Sequence, residues 1–484
     1  MSTIKDLEPK ELWGNFYSLT RCPRPSKHEE VVRQFLVDWA KKKNIECRVD
    51  AVGNVIMKKP ATKGMENRQG VVLQAHMDMV PQARAGKKHD FVKDPIETKI
   101  VGEWVYACDT TLGADDGLGV AAAMAVLESK TIKHGPLEAL FTTDEETGMT
   151  GAEGLKKGEL EGKYLLNLDS ETEGELYVGC AGGIDATISL PYQLEKTPKD
   201  HYAVKLTIGG LLGGHSGMEI NSGRVNANKL AFRAMRSILK YGVRLYSVQG
   251  GNMRNAIPRD AEMVFVAPKA KKAAVTKALN TKAGHIKAEI STIEPGFSMT
   301  FEEVRMMPKV MTAESTQKVV NMMMVAPNGV IRMSVDMPGL VETSLNLAIA
   351  ETNGKNFVLK CLLRSSVDTA KAALAERLVC LAESFGAKCQ LSGNYPGWKP
   401  NMQSGLLKTM KQVYKSLYKK EPKVVAIHAG LECGLLGGKY PDMEMISFGP
   451  TLNSPHSPDE RANIPSSKKF FDYLVAAIEA MPEK

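Results

Sequence analysis

The chain has 484 residues, 43% of them hydrophobic and 24% charged, and its 63 basic and 55 acidic side chains leave a net charge of +8. That composition is ordinary for a globular protein and excludes a disordered or collagen-like chain, while the length exceeds one core, since single cores stop growing near ~250–300 residues. The basic excess sits in short solvated pieces, around Lys269 to Lys272 and Lys419 to Lys423, with no basic stripe interleaved with aromatics, so nucleic acid is not an expected partner.

In chain order, Leu12, Phe16 and Leu19, then Val31, Val32, Phe35, Leu36 and Trp39, recur at helical spacing, with Pro23 and Pro25 between the two segments. Residues 46–49 and 55–58 predict a hairpin turning near Gly53-Asn54. Residues 70–75 form a continuous apolar run, as in a strand buried on both faces. An alanine-rich helix is predicted over 117–129, and buried strands over 136–142 and 164–168. Such alternation predicts an α/β sheet flanked by helices.

After about Gly183 the pattern changes. Strands are predicted over 186–190, 203–208, 261–266 and 357–363, with helices over 227–239, 270–283 and 368–385. This is a β-rich α+β segment of domain size. The methionine run Met322 to Met324 reads as core or interface packing. α/β features then return: a helix over 405–417, a strand over 423–427, a helix starting at Leu431 and a strand over 445–448. The expected organisation is an α/β domain over 1–185, an inserted α+β domain over 186–395, and completion of the first domain by 396–484.

No run approaches the ~18 apolar residues of a membrane span. Lys5, Glu8, Lys10 and Glu11 interrupt the N-terminus before a signal-peptide core could form. A cytoplasmic protein without a membrane partner is expected. The eight cysteines (Cys22, Cys47, Cys108, Cys180, Cys361, Cys380, Cys389 and Cys433) are scattered singly, which fits reduced thiols and argues against a thiolate zinc site.

Metal-ligand side chains gather just past predicted strand ends, where open α/β sheets bind ligands. Gln74-Ala75-His76-Met77-Asp78 ends the first buried strand, and a carboxylate two residues from an imidazole can support it. Leu112-Gly113-Ala114-Asp115-Asp116-Gly117 precedes the alanine-rich helix; an N-cap explains one aspartate there but not two. Thr143-Asp144-Glu145-Glu146 places three adjacent carboxylates that repel unless a cation neutralises them, or stand solvated. Asn167-Leu168-Asp169-Ser170-Glu171 and Asn453-Ser454-Pro455-His456-Ser457-Pro458-Asp459-Glu460 follow two further strands. Taken singly, each string also fits a cap, a polar pair or a solvated loop. Together they supply more ligands than one ion needs and suit two divalent metals ~3.5–4 Å apart sharing a carboxylate. Zinc fits mixed His and carboxylate donors, and cobalt and manganese share them.

These motifs, in order and context, resemble the co-catalytic di-zinc exopeptidases related to glutamate carboxypeptidase and aminoacylase, and within them the branch that cleaves Xaa-His dipeptides. Cys22-Pro23-Arg24-Pro25-Ser26, His428-Ala429-Gly430-Leu431-Glu432-Cys433 and Gly449-Pro450 extend the resemblance along the whole chain. It implies a zinc-exopeptidase-like mixed sheet interrupted by an α+β lid or dimerisation domain. It implies that Asp115 bridges two zinc ions, that His76 and Asp169 complete one ligand set, and that Glu146 and His456 complete the other. Asp78 then orients His76, Glu145 is the general base, and the peptide after Asp115 is cis.

From the inserted domain the resemblance brings His215, in Gly213-Gly214-His215-Ser216-Gly217, to the oxyanion. Asn255 and Arg364 hold the substrate carboxylate, a task suited to the arginine fork. Gly430 and Glu432 lie at the substrate rim. The implied activity is hydrolysis of short peptides, preferentially dipeptides with C-terminal histidine, by a homodimer. A broad dipeptidase, a tripeptide aminopeptidase and an N-acyl amino acid deacylase are the alternatives on the same fold.

Overall fold

The predicted hairpin forms from β1 (Glu46–Val49) and β2 (Val55–Lys59), antiparallel from Glu46 opposite Lys58 to Val49 opposite Val55. In the computed structural model, which describes residues 3–484, it edges an eight-stranded sheet. The other strands are β3 (Val71–His76), β4 (Leu137–Thr142), β5 (Tyr164–Asn167), β6 (Glu175–Cys180), β7 (Lys423–Ile427) and β8 (Glu444–Ser447), in the order β1-β2-β4-β3-β5-β8-β6-β7. The central strands β4, β3, β5 and β8 are parallel to one another. Every residue of β3, β4 and β5 is buried, which is why they read as mostly apolar runs.

Three helices of this unit are α1 (Lys10–Thr20), α2 (Glu30–Lys43) and α3 (Ala114–Glu128). α3 packs on both α1 and β3. All its residues from Ala114 to Leu127 are buried, so small alanines on every side serve close packing.

The chain divides into two units, the first comprising Met1–Cys180, Trp398–Ala426 and Leu431–Lys484, the second Ala181–Gly397 and Ile427–Gly430. The second contains a nine-stranded sheet. Along its path run Ser298–Val304, His201–Gly209, Ala261–Pro268, Arg244–Gly250, Val341–Asn353, Asn356–Ser365, Gly182–Pro191 and Lys388–Tyr395, with Gly329–Met333 paired to Val341–Asn353. One core joins Leu206, Phe265, Leu347 and Phe357 of that sheet to Phe232, Leu279 and Leu378 of its helices. Met322 and Met323 are fully buried in the same core.

Ile427–Gly430 departs from the expected boundaries, which kept 396–484 together. The N–H of Ala181 donates to the carbonyls of Ile427 (3.1 Å) and Ala429 (2.9 Å), and His428 Nε2 lies 2.7 Å from Ser344 Oγ. Several strands lie outside the predicted elements. Ser298–Val304 and Lys388–Tyr395 are polar, largely exposed edge strands. Val341–Asn353 buries Glu342, Thr343, Ser344 and Asn346 within a central strand.

Candidate metal centre

The four central parallel strands deliver their following residues to one edge of the first sheet. β3 ends on His76, and Asp78 follows. β4 leads into Asp144, Glu145 and Glu146, β5 into Asp169, and β8 into the loop carrying His456. The first turn of α3, where the backbone is non-helical at Asp115 and Asp116, adds both aspartates.

Asp115 is the centre of the cluster. Its Oδ1 lies 3.2 Å from His76 Nε2, and its Oδ2 lies 3.1 Å from His456 Nε2. Asp169 Oδ1 stands 3.3 Å from His76 Nε2, and Glu146 Oε2 stands 3.0 Å from His456 Nε2. Ligand atoms of His76, Asp115 and Asp169 therefore lie within 4.8 Å of one another, as do those of Asp115, Glu146 and His456. Glu145 and Glu146 form a further such group with His76. One aspartate thus offers an oxygen to each of two His-carboxylate sets.

Asp78 sits beneath. Its Oδ1 is 3.3 Å from His76 Nδ1 and accepts the N–H of Glu145 at 3.0 Å; its Oδ2 accepts the N–H of Glu146 at 3.3 Å and the Ser26 hydroxyl at 2.8 Å. One buried carboxylate therefore holds the glutamate turn by two N–H groups and lies beside the imidazole. The two adjacent aspartates divide the two readings of their motif. Asp116 behaves as a cap, accepting the Gly119 N–H on Oδ1 at 3.1 Å and the His76 N–H on Oδ2 at 3.3 Å. Asp115, joined to it by a cis peptide, is left to the cluster.

The electrostatics ask for cations. Burial pushes the Glu145 carboxyl well above its usual range despite His76, and Asp169, Glu432 and Glu146 push the same way. Burial does the same to Asp169. Burial opposes charge on His76, yet Asp169, Asp115 and Asp78 hold its pKa well above the ordinary value. Hydrogen bonds to Asp115 and Glu146 push His456 up to about 11. Without a cation, these carboxyls are relieved only by holding protons themselves or by facing imidazolium. Glu146 Oε1 is moreover buried without a hydrogen-bond partner. An orphaned carboxylate oxygen among nitrogen and oxygen donors fits divalent cations among His76, Asp115, Glu146, Asp169 and His456.

Two supporting residues had no predicted role. Arg24, 2% exposed, donates to the carbonyls of Met77, Asp78 and Gly113. Glu460, also 2% exposed, accepts backbone N–H groups of the Asp115 loop. Both stand in quoted strings, but nothing local separates a buried arginine or glutamate from a solvated one. The rim position expected for Glu432 is corrected. It is 1% exposed, and its Oε2 accepts from Gln74 (2.6 Å) and Thr142 (2.8 Å) at the ends of β3 and β4. The glutamate opens the helix Glu432–Lys439, which turns it into the sheet edge.

In the second unit, Arg364 is buried, with Nε 3.3 Å from Ser216 Oγ, Nη1 3.3 Å from Tyr395 OH and Nη2 3.4 Å from His215 Nε2. His215 Nδ1 accepts the N–H groups of Gly217 (3.3 Å) and Met218 (3.1 Å). Asn255 is exposed; its carbonyl accepts the Ser216 N–H at 2.8 Å. His215 and Asn255 both line a cavity of about 740 Å³. Gly430 is partly exposed.

Residues 72–480 match the sequence model of peptidase family M20/M25/M40. The chain is 44% identical over 486 residues to the cytosol non-specific dipeptidase of Escherichia coli K12, covering 100% of both. It superposes with a TM-score of 0.96 on the crystal structure of aminoacylhistidine dipeptidase from Vibrio alginolyticus, at 45% identity, covering 100% of this chain and 99% of that one. An aminopeptidase from Bacillus cereus shares the fold at a TM-score of 0.56 and 16% identity, covering 98% and 99%.

Proposed function

This chain belongs to peptidase family M20/M25/M40, and from that premise we infer that it is a metal-dependent dipeptidase. The observation that carries the reading is the position of Asp115, one oxygen facing His76 and Asp169, the other facing Glu146 and His456. Those five residues would hold two divalent cations, with zinc the proposed metal. When bound, such ions supply the positive charge that polarises a scissile carbonyl and acidifies water.

The chain's own residues supply the rest. Glu145 takes the proton of the attacking water and returns it to the leaving amine. Its position is set by the bond from its N–H to Asp78 Oδ1. Asp78, whose Oδ1 lies 3.3 Å from His76 Nδ1, orients that ring. Arg364 and Asn255 receive the free C-terminal carboxylate, and His215 donates to the oxyanion. Glu432 is assigned to the support of the β3 and β4 ends rather than to substrate.

Histidine at the substrate C-terminus is the proposed preference. The relatives differ in name on this point: one is called non-specific, the other aminoacylhistidine-specific. A homodimer in the cytoplasm completes the proposal. No helix among the described residues is long and apolar enough to cross a membrane.

The test is turnover on a panel of Xaa-His dipeptides, other dipeptides, tripeptides and N-acetyl amino acids after zinc reconstitution, with chelated controls. Dipeptides should dominate, led by Xaa-His. Faster tripeptide or N-acetyl cleavage would overturn the dipeptidase assignment, and equal rates across dipeptides would remove the histidine preference.

A further inference from the structure

Asp115 is gripped twice by the same loop. His456 meets its side chain, Nε2 to Oδ2 at 3.1 Å. Glu460, four residues on, meets its backbone. Glu460 Oε2 accepts the N–H groups of Leu112 (2.7 Å) and Gly113 (3.0 Å), and Oε1 accepts those of Ala114 (2.7 Å) and Asp115 (3.3 Å). Successive N–H groups converging on one carboxylate form a nest for negative charge. A glutamine there could accept on one atom only.

Arg24 holds the same loop by its other polar edge. Its Nη2 donates to the Gly113 carbonyl, while Nη1 donates to the carbonyls of Met77 (3.1 Å) and Asp78 (2.9 Å), directly after His76. Gly113 has φ 70°, and a Cβ there would lie 2.7 Å from Arg24 Nη2 and 2.8 Å from Met79 Sδ. Only glycine lets the loop pass between the two charges.

We propose that Glu460 and Arg24 are positioning residues that set the two metal positions separately. Glu460 sets the one formed by Asp115 Oδ2, Glu146 and His456; Arg24 sets the one formed by Asp115 Oδ1, His76 and Asp169. The inference rests on the dinuclear reading above. The assignment follows connectivity. Glu460 ties the His456 loop to the Asp115 backbone, so its loss frees His456 relative to Asp115. Arg24 ties the chain after His76 to the same loop, so its loss frees His76 relative to Asp115.

The test is calorimetric zinc titration of the metal-depleted full chain, backed by competition with a chromophoric chelator. Wild type should take up two ions. His456→Ala identifies which affinity belongs to the His456 position. Glu460→Gln should then weaken that affinity by ~10–100-fold, the usual cost of losing an outer-shell partner, and spare the other. Arg24→Lys, which keeps the charge but loses the fork, should do the reverse. Glu460→Asp, which keeps the carboxylate, should recover part of the loss, and it carries the comparison if Glu460→Gln fails to fold. Glu138 accepts the N–H groups of Glu161 and Gly162 at 2.8 Å, near the start of β4; Glu138→Gln should lower Tm and leave both affinities unchanged. Equal loss of both affinities in the Glu460 and Arg24 variants, or loss of neither, overturns the proposal. Fewer than two ions on wild type overturns the dinuclear reading instead.

Discussion

His456 Nε2 stands 3.1 Å from Oδ2 of Asp115, across 341 positions of sequence. The contact needs the chain to leave the first sheet after β6, build a whole second unit, and return through β7 and β8. It also makes the centre a property of both ends of the chain.

Replacing Glu145 with glutamine should lower kcat by ~10²–10⁴-fold, the usual worth of a positioned acid–base group. Its backbone bond to Asp78 is unaffected, so two ions should still bind. Steady-state kinetics beside metal analysis checks both statements. Near-normal turnover with metal present would remove Glu145 from the proton path.

Asp115→Asn should cost both ions, because it removes the charge shared by the two ligand sets. Metal content after dialysis should fall from two per chain to below one, and zinc should no longer restore activity to the chelated protein. Retention of one tightly bound ion would show that the aspartate serves one set only.

The metal-free protein should melt at lower temperature as pH rises from about 5 to 9. Glu171 and Glu432 are pushed up to about 7, chiefly by burial, and His456 up to about 11 by Asp115 and Glu146. With each pKa above its ordinary value of about 4.3 or 6.5, the folded state holds protons that the unfolded state has released, so stability falls as pH climbs through these ranges. Metal binding needs the His456 imidazole deprotonated. The Tm difference between zinc-loaded and chelated protein should therefore widen with pH; scanning calorimetry at pH 5, 7 and 9 reads it.

Gly119→Ala should destabilise without touching a ligand. A Cβ there would lie 2.2 Å from Asp116 Oδ1, so the carboxylate must swing off the N–H groups of Gly119 and His76. Leaving such buried groups unpaired costs about 1–3 kcal/mol each. Urea denaturation should show the loss, and zinc affinity should fall with it because His76 loses its anchor.

Arg364→Lys should raise KM more than it lowers kcat, since the fork that pairs with a carboxylate is lost. Charge-assisted bonds of about 1.5–3 kcal/mol correspond to roughly 10–150-fold in kcat/KM. Dipeptide amides should lose little further activity in the variant. An equal loss on amides would show that Arg364 does not read the carboxylate.

Much of this was legible from residue order. The buried runs of β3, β4 and β5, the alanine-rich α3 and the carboxylates after each strand announce themselves, because a parallel strand covered on both faces is mostly apolar and an open α/β sheet binds ligands past its strand ends. Polar edge strands such as Lys388–Tyr395 escaped, because exposure removes the apolar signal. Glu432 was misplaced because a glutamate opening a helix reads the same whether the helix faces solvent or a sheet edge.

By itself, then, the sequence determined the strand ends and which histidines and carboxylates follow them in order along the chain, all of them consequences of local periodicity and spacing. Tertiary structure alone decided the rest: that Asp116 caps α3 while Asp115 turns to the cluster, that Arg24 and Glu460 are buried charges holding one loop from two sides, and that Ile427–Gly430 packs with the second unit. These depend on which groups lose water together. Solvent exclusion is set by the packing of distant segments, and no window of sequence contains it.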